Sequence, residues 1–347
     1  MVKKTSVGII GAGKIGKLHI NNLVTMNEVN IRAISDVYID QMSDWVNTLD
    51  VKYTTKNYME IVNDPDIDAI LVCTPTKLHS EIVIAAAEKK KHIFCEKPIS
   101  FNLEDSLKVL DAVKKAGVIM QVGFVRRFDR NFRQVHEIVK SGKIGTPHII
   151  HIFSRDPEPA PRKYVRHSGG MPFDMTIHDF DMIRYLTQFE VEEVYAQGSV
   201  LIDPFFEECN DVDTAVFTLR FTNGAIGVVD NSRRAEYGYD QRVEVFGSKG
   251  SVSIKNDTNH TVEVITKDGT LSDKPKWFYL ERYNDAFKEE LRSFLNCVTT
   301  GTEPTVSAYD GLQAELLAHA ATISLQEKRP VKIQEVLKQT DLRLRDH

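Results

Sequence analysis

Hydrophobic positions follow two different periods along the chain. Up to about residue 124, short unbroken apolar runs alternate with stretches in which apolar residues recur every three to four positions. The runs are Thr5–Ile10, Ile31–Asp36, Asp68–Cys73, His92–Cys95 and Val118–Val122; helices are predicted from about Lys14 to Thr25, Leu78 to Lys90 and Leu103 to Ala116. Runs without polar alternation are strands buried on both faces, and strands alternating with helices form a parallel, doubly wound sheet. After Gly123-Phe-Val-Arg126-Arg127-Phe-Asp129 the character changes. A helix from Phe132 to Ser141 is ended by Gly142, and strand-like patterns follow at 147–155, 193–198, 214–221, 225–231, 241–246, 251–254 and 262–266. Turns at Asn223-Gly224, Gly247-Ser-Lys-Gly250 and Lys267-Asp-Gly269 join several of these as hairpins, which predicts an open antiparallel sheet. Helices from about Asn284 to Thr299 and from Ala308 to Glu327 complete the pattern before Arg329-Pro330.

The first run leads straight into Gly11-Ala-Gly13-Lys14-Ile15-Gly16 and a helix, which is G-x-G-x-x-G in its required context of strand, tight turn and helix. Gly11 permits the turn, Gly13 lets the backbone approach a pyrophosphate, and Gly16 lets helix pack on strand. The phosphates would sit at the positive helix N-terminus. Asp36 ends the next strand, 20 residues past Gly16, where an acid binds a ribose 2′-hydroxyl. A carboxylate there repels a 2′-phosphate, and Val37-Tyr38 supply no compensating arginine, so the cofactor expected is NAD rather than NADP. Ligands of such sheets bind at the carboxyl ends of the strands. The predicted cofactor set is therefore Gly11, Gly13, Lys14, Ile15, Gly16 and Asp36 with Thr74, Pro75, His79, Glu96 and Lys97. The fold class is α/β, with an N-terminal Rossmann sheet over 1–124 and a second α/β domain carrying the large open antiparallel sheet over 125–347.

A second stretch, Ser168-Gly-Gly-Met-Pro-Phe-Asp174-Met-Thr-Ile-His178-Asp-Phe-Asp181-Met-Ile-Arg184, carries candidate chemistry. Two glycines turn the chain and Pro172 suits a first helical turn. On a helix, Asp174, His178 and Asp181 project from one stripe, and Met175, Met182, Ile183 and Leu186 fall on the core side. A carboxylate one turn before an imidazole can fix its tautomer and stabilise the imidazolium after proton uptake. Lys97, at a strand end and followed by Pro98, is a candidate substrate-facing cation. Two polar strand ends, Ser154-Arg-Asp156-Pro-Glu-Pro-Ala-Pro161 and Asn231-Ser-Arg-Arg-Ala-Glu-Tyr237-Gly-Tyr239-Asp-Gln-Arg242, have the donors and acceptors that a polyhydroxylated molecule requires.

Composition narrows the partners. The 347 residues carry a net charge of −5 with no long block of like charge, which argues against nucleic acid and anionic membranes. Four scattered cysteines lack C-x-x-C spacing and fit a reducing compartment, with no metal site expected. Met1-Val-Lys-Lys runs directly into the first strand, leaving no room for a signal peptide, and no apolar run approaches a membrane span. A cytoplasmic location is expected.

The glycine loop, Glu96-Lys97-Pro98 and Asp174-x-x-x-His178 together resemble the glucose–fructose oxidoreductase, inositol dehydrogenase and rhizopine catabolism (Gfo/Idh/MocA) family. The likeness spans nearly the whole chain. The stretches 123–129, 154–161, 169–181 and 230–242 look like its inositol 2-dehydrogenases. The resemblance implies a Rossmann domain, a substrate-binding and oligomerisation domain, and a homotetramer built through the open sheets. It implies Lys97, Asp174 and His178 as catalytic residues, with Arg127, Asp156 and Tyr237 at the ring hydroxyls, or Tyr239 in place of Tyr237. Thr76 departs from the Asn that many relatives carry after Thr-Pro. The implied reaction is NAD-dependent oxidation of myo-inositol at C2 to 2-keto-myo-inositol (scyllo-inosose) by hydride transfer. Alternatives are scyllo- or chiro-inositol or an aldose as substrate, and a non-catalytic NAD-binding sensor.

Overall fold

The computed structural model describes residues 4–339. Six of its strands, β1 (Thr5–Ile10), β2 (Val29–Ser35), β3 (Tyr53–Thr55), β4 (Ala69–Val72), β5 (His92–Cys95) and β6 (Met120–Val122), form one sheet in the order β3-β2-β1-β4-β5-β6. Every pairing in it is parallel, which is the doubly wound arrangement that the alternating pattern predicts. β4 is buried at all four positions, as a strand covered on both faces must be. Helices α1 (Lys14–Val24), α2 (His79–Glu88) and α3 (Leu103–Ala116) follow β1, β4 and β5. The ends of α3 are set locally. Asn102 accepts the Glu104 N–H, Glu104 and Asp105 occupy the first turn, and Lys114 and Lys115 the last. Gly117 at φ 64° then closes the helix.

The second sheet has seven strands: β7 (Pro147–Arg155), β8 (Val191–Ser199), β9 (Thr214–Phe221), β10 (Ile226–Ser232), β11 (Asp240–Gly247) and β12 (Gly250–Ile254), with β15 (Val331–Lys332) at an edge; β13 (Glu263–Thr266) and β14 (Gly269–Ser272) form a separate hairpin. The order is β12-β11-β7-β10-β9-β8-β15. It is open, as expected, but mixed rather than purely antiparallel, because β7 and β10 run parallel. The hairpins read from the turns fix only sequence neighbours, and β10 reaches β7 by a long connection. Along β9 burial alternates strictly, with Ala215, Phe217, Leu219 and Phe221 inside, so one face of this sheet is covered and the other open. Helices α4 (Arg130–Lys140) and α5 (Ile177–Thr187) belong with it.

By packing, the chain separates into two compact units, Met1–Phe128 with Asp285–Gln313, and Asp129–Asn284 with Ala314–His347. The first includes most of α6 (Asn284–Thr300). Leu291, Phe294 and Leu295 of α6 join Val7, Ile9, Leu71 and Phe94 in one apolar core. The sequence boundary near residue 125 therefore leaves out a returning segment of the first unit. The last long helix is α7 (Ala308–Glu327). Among the described residues, no helix is long and apolar enough to cross a membrane.

Candidate active site

In the first unit the glycine loop has the geometry its sequence requires. Gly11 takes φ +97°, and a Cβ at Gly16 would lie 2.0 Å from the Gly11 carbonyl oxygen, so α1 can approach β1 only with glycine there. Gly13 is different, since nothing lies within 4 Å of the position its Cβ would take. Its freedom serves an approaching ligand rather than internal packing. Lys14 is exposed and Ile15 half-buried at the start of α1. Asp36 accepts the Ala12 N–H at 2.8 Å and the Tyr38 N–H at 2.8 Å, so its carboxylate is fixed beside the loop. The Thr74 hydroxyl oxygen is buried without a hydrogen-bond partner beside exposed Pro75. An open glycine cradle, a fixed carboxylate and an orphaned hydroxyl at a strand end fit a dinucleotide.

His79 is 1% exposed and braces two loops, with Nδ1 2.8 Å from the Pro98 carbonyl and Nε2 2.8 Å from that of Thr74. Burial pushes its pKa down against those two contacts. Its ring nitrogens are thus spent on the walls of the site. Glu96 turns inward, with Oε1 2.7 Å from His19 Nε2, while Lys97, the next residue, is half-buried. Arg127, expected at substrate hydroxyls, is 6% exposed; its Nη1 donates to the Thr305 carbonyl at 3.1 Å and its Nη2 to Asp310 at 2.9 Å.

In the second unit Pro172–Thr176 form one π-helical turn that leads into α5, where the sequence predicts plain α-helix. A π turn widens the helix by one residue per turn and re-aims the side chains on it. From Pro172 to Thr187 only Asp174, His178 and Tyr185 are part-exposed; Met175, Met182, Ile183 and Leu186 are core, as expected, and Asp181 is fully buried. The Asp174 carboxylate accepts the Tyr164 hydroxyl at 2.7 Å and Nη1 of Arg233 at 2.8 Å. Arg233 is 1% exposed and lies 3.5 Å from Asp211. Burial opposes its charge, but Asp174, Asp211 and Asp156 more than restore it, so its pKa stands above the ordinary arginine value. Burial first, and then Asp174, push the Tyr164 hydroxyl up, so it stays a donor. Asn231 completes the support, holding Thr176 at 2.6 Å and Asp179 at 3.0 Å.

The two tyrosines part company. Asn231 and its register neighbour Ser154 point toward α5, and Gln241 and Tyr283 share that face. Tyr239 packs its ring edge-on to Tyr283 at 6.0 Å and is 7% exposed. Tyr237 sits on the opposite face, donating to Asp240 at 2.6 Å and accepting from Arg155 at 3.3 Å. It borders a cavity of about 280 Å³ with Arg155, Asp230 and Ser232. Of the two tyrosines, Tyr239 therefore shares the face of Asn231 and Gln241, and Tyr237 does not. Asp156 is half-buried and near enough to Arg233 to raise its pKa. Tyr164, Arg233 and Asp211 escaped the sequence reading, although Arg233 lies within the polar 231–242 stretch.

Residues 5–124 match the model of an oxidoreductase family with an NAD-binding Rossmann fold, and residues 132–253 match the GFO/IDH/MocA C-terminal domain. The myo-inositol 2-dehydrogenase of Thermotoga maritima is 51% identical over 331 residues, covering 95% of this chain and 99% of that protein. The inositol 2-dehydrogenase of Rhizobium meliloti is 38% identical over 326 residues, covering 94% and 98%. A crystal structure of scyllo-inositol dehydrogenase from Lactobacillus casei, with NAD(H) and scyllo-inositol bound, matches with a TM-score of 0.90 at 27% identity, covering 96% and 100%. The glycine cradle, the mixed-sheet unit and these likenesses agree: the chain belongs to the Gfo/Idh/MocA oxidoreductases, enzymes with an NAD-binding Rossmann fold.

Proposed function

We propose that the chain oxidises the secondary alcohol at C2 of myo-inositol to scyllo-inosose, with NAD⁺ as the oxidant. The observation that carries this reading is the pair Asp174 and His178, which with Tyr185 are the part-exposed positions of a segment buried everywhere else, with the carboxylate anchored by Tyr164 and Arg233. The two inositol dehydrogenases at 51% and 38% identity supply the substrate class. The glycine loop, Asp36, Thr74 and Pro75 would hold the dinucleotide, while His79 and Glu96 shape the loops around it. Bound NAD supplies the hydride acceptor. His178 takes the hydroxyl proton as general base, and the anchored Asp174 stabilises the imidazolium that results. Lys97 donates a hydrogen bond to the reacting oxygen. Asp156 and Tyr239 bind ring hydroxyls, with Arg127 as a further donor. The second unit serves substrate binding and assembly, and the enzyme works in the cytoplasm.

Assembly is read from the open face of the second sheet. Ile226, Ile149 and Phe246 lie side by side across β10, β7 and β11, exposed by 49%, 44% and 47%. Such an apolar row supports burial against further copies of the chain, as a homotetramer.

The test is NADH formation with myo-inositol, scyllo-inositol, chiro-inositol and glucose compared in parallel, using NAD⁺ and NADP⁺. Turnover on myo-inositol with NAD⁺ alone is expected. Turnover confined to another polyol would keep the catalytic groups and replace the substrate. No turnover with NAD still bound would make the chain a sensor.

A further inference from the structure

A buried polar cluster in the first unit takes no part in the chemistry above. His19 of α1, Glu96 after β5 and Glu290 of α6 bring their ligand atoms within 4.8 Å of one another. His19 and Glu290 are both fully buried. His19 packs edge-on against Phe94 and Phe287, with centroids at 5.1 Å and 5.9 Å, and its Nε2 meets Glu96 Oε1 at 2.7 Å. Its Nδ1 and both Glu290 carboxyl oxygens are buried without a hydrogen-bond partner. Backbone crowds the other side of Glu96, because a Cβ on Gly123 would lie 3.0 Å from Glu96 Oε2. Among the described residues no lysine or arginine pairs with either carboxyl group.

Two ionised carboxylates at this separation, one fully buried and the other largely so, would repel each other, and one imidazole offsets one of them at most. A proton must supply the rest. Burial first, and then the charge of Glu96, push the Glu290 carboxyl well above the usual range. The titratable groups that face Glu290 are Glu96, His19 and the Cys73 thiol, which burial also pushes up. Gln121 donates to the Glu290 backbone carbonyl at 2.8 Å and seats that turn of α6 on β6.

We propose that His19, Glu96 and Glu290 act as one buried unit around a shared proton that fixes the Glu96-Lys97 turn, making Glu290 a positioning residue for Lys97. With no direct hydrogen bond between the two side chains, a carboxylic acid at 290 donates toward Glu96 through one bridging water. Glu96, held on one side by His19 and on the other by this acid, cannot rotate, and the backbone that carries Lys97 is held with it. The role of Glu290 toward catalysis rests on the role given to Lys97 above. A histidine with two carboxylates can also bind a divalent cation, but the direct His19–Glu96 hydrogen bond would first have to break.

The test uses the whole 347-residue chain with Glu290→Gln and Glu290→Ala. Infrared difference spectra between wild type and Glu290→Gln at neutral pH should show the carbonyl stretch of a protonated carboxylic acid, lost in the variant. Glu290→Ala should lower kcat about tenfold with KM for NAD⁺ unchanged, and Glu290→Gln should recover most of it, since the amide keeps a donor and adds no charge. Neither change should move the pH limbs of kcat. Absence of the acid band, wild-type kcat in Glu290→Ala, or a stoichiometric metal ion whose removal by chelation costs activity would each overturn the proposal. The infrared band is read without substrate, so it decides the proton even if the polyol assignment fails.

Discussion

Asp174 draws its two anchors from 10 and 59 positions away in the chain, Tyr164 and Arg233. That dependence separates two kinds of substitution. His178→Ala and Lys97→Ala should each lower kcat by roughly 10²–10⁴, the span typical of acid–base groups, with little change in the unfolding midpoint. Wild-type turnover in both would remove them from the mechanism. Arg233→Ala should act on the fold, because it leaves the part-buried carboxylates of Asp174 and Asp211 without the buried cation they share. A loss of about 3–5 kcal/mol is expected in urea unfolding. The glycines divide similarly. Gly13→Ala should fold normally yet weaken NAD binding, as its new methyl stands in open space on the approach path; Gly16→Ala should lower the melting temperature as well. Four-residue spacing, a local signal, marked Asp174 and His178 in the sequence, and both are part-exposed in the structure. Arg233 was visible only as one polar residue among several, since nothing local says which carboxylate a distant arginine will meet.

At the scale of elements, legibility followed the range of the determinants. Helix α3 came out to the residue, because Asn102, its terminal charges and Gly117 all act within a turn. The three-residue β3 and two-residue β15 were missed, being too short to show a period. The π turn at 172–176 was also missed, since Pro172 and the four-residue spacing of Asp174 and His178 read equally as the start of a plain α-helix. Phe173 meets His319 of α7 edge-on at 4.8 Å, and burial pushes His319 down to about 4 from 6.5. Between those values the unfolded chain binds the proton and the folded one does not, so stability rises with pH there. The contribution is fully present above about 6.5 and is lost as pH falls toward about 4. Denaturant midpoints measured across that window should fall on acidification in the wild type and stay flatter in His319→Leu. Equal slopes would remove His319 as the cause.

For the whole molecule, the two-part architecture was readable from the change of hydrophobic period, but the return of Asp285–Gln313 to the first unit was not. The apolar face of α6 fits a core in either unit, and pattern does not say which. The row Ile226–Ile149–Phe246 makes a claim about assembly that light scattering can check. The wild type should run at four times the chain mass, and Phe246→Glu should shift it to a smaller species. A wild type of one chain mass would contradict the assembly. The central step of the proposed reaction is transfer of hydrogen from C2 of the polyol to the cofactor. Its most direct measurement is turnover of myo-inositol deuterated at C2, with the reduced cofactor examined by NMR. The expected product carries the deuterium on the nicotinamide ring, along with a reduced kcat/KM. Reduced cofactor without the label, or none formed at all, would contradict it.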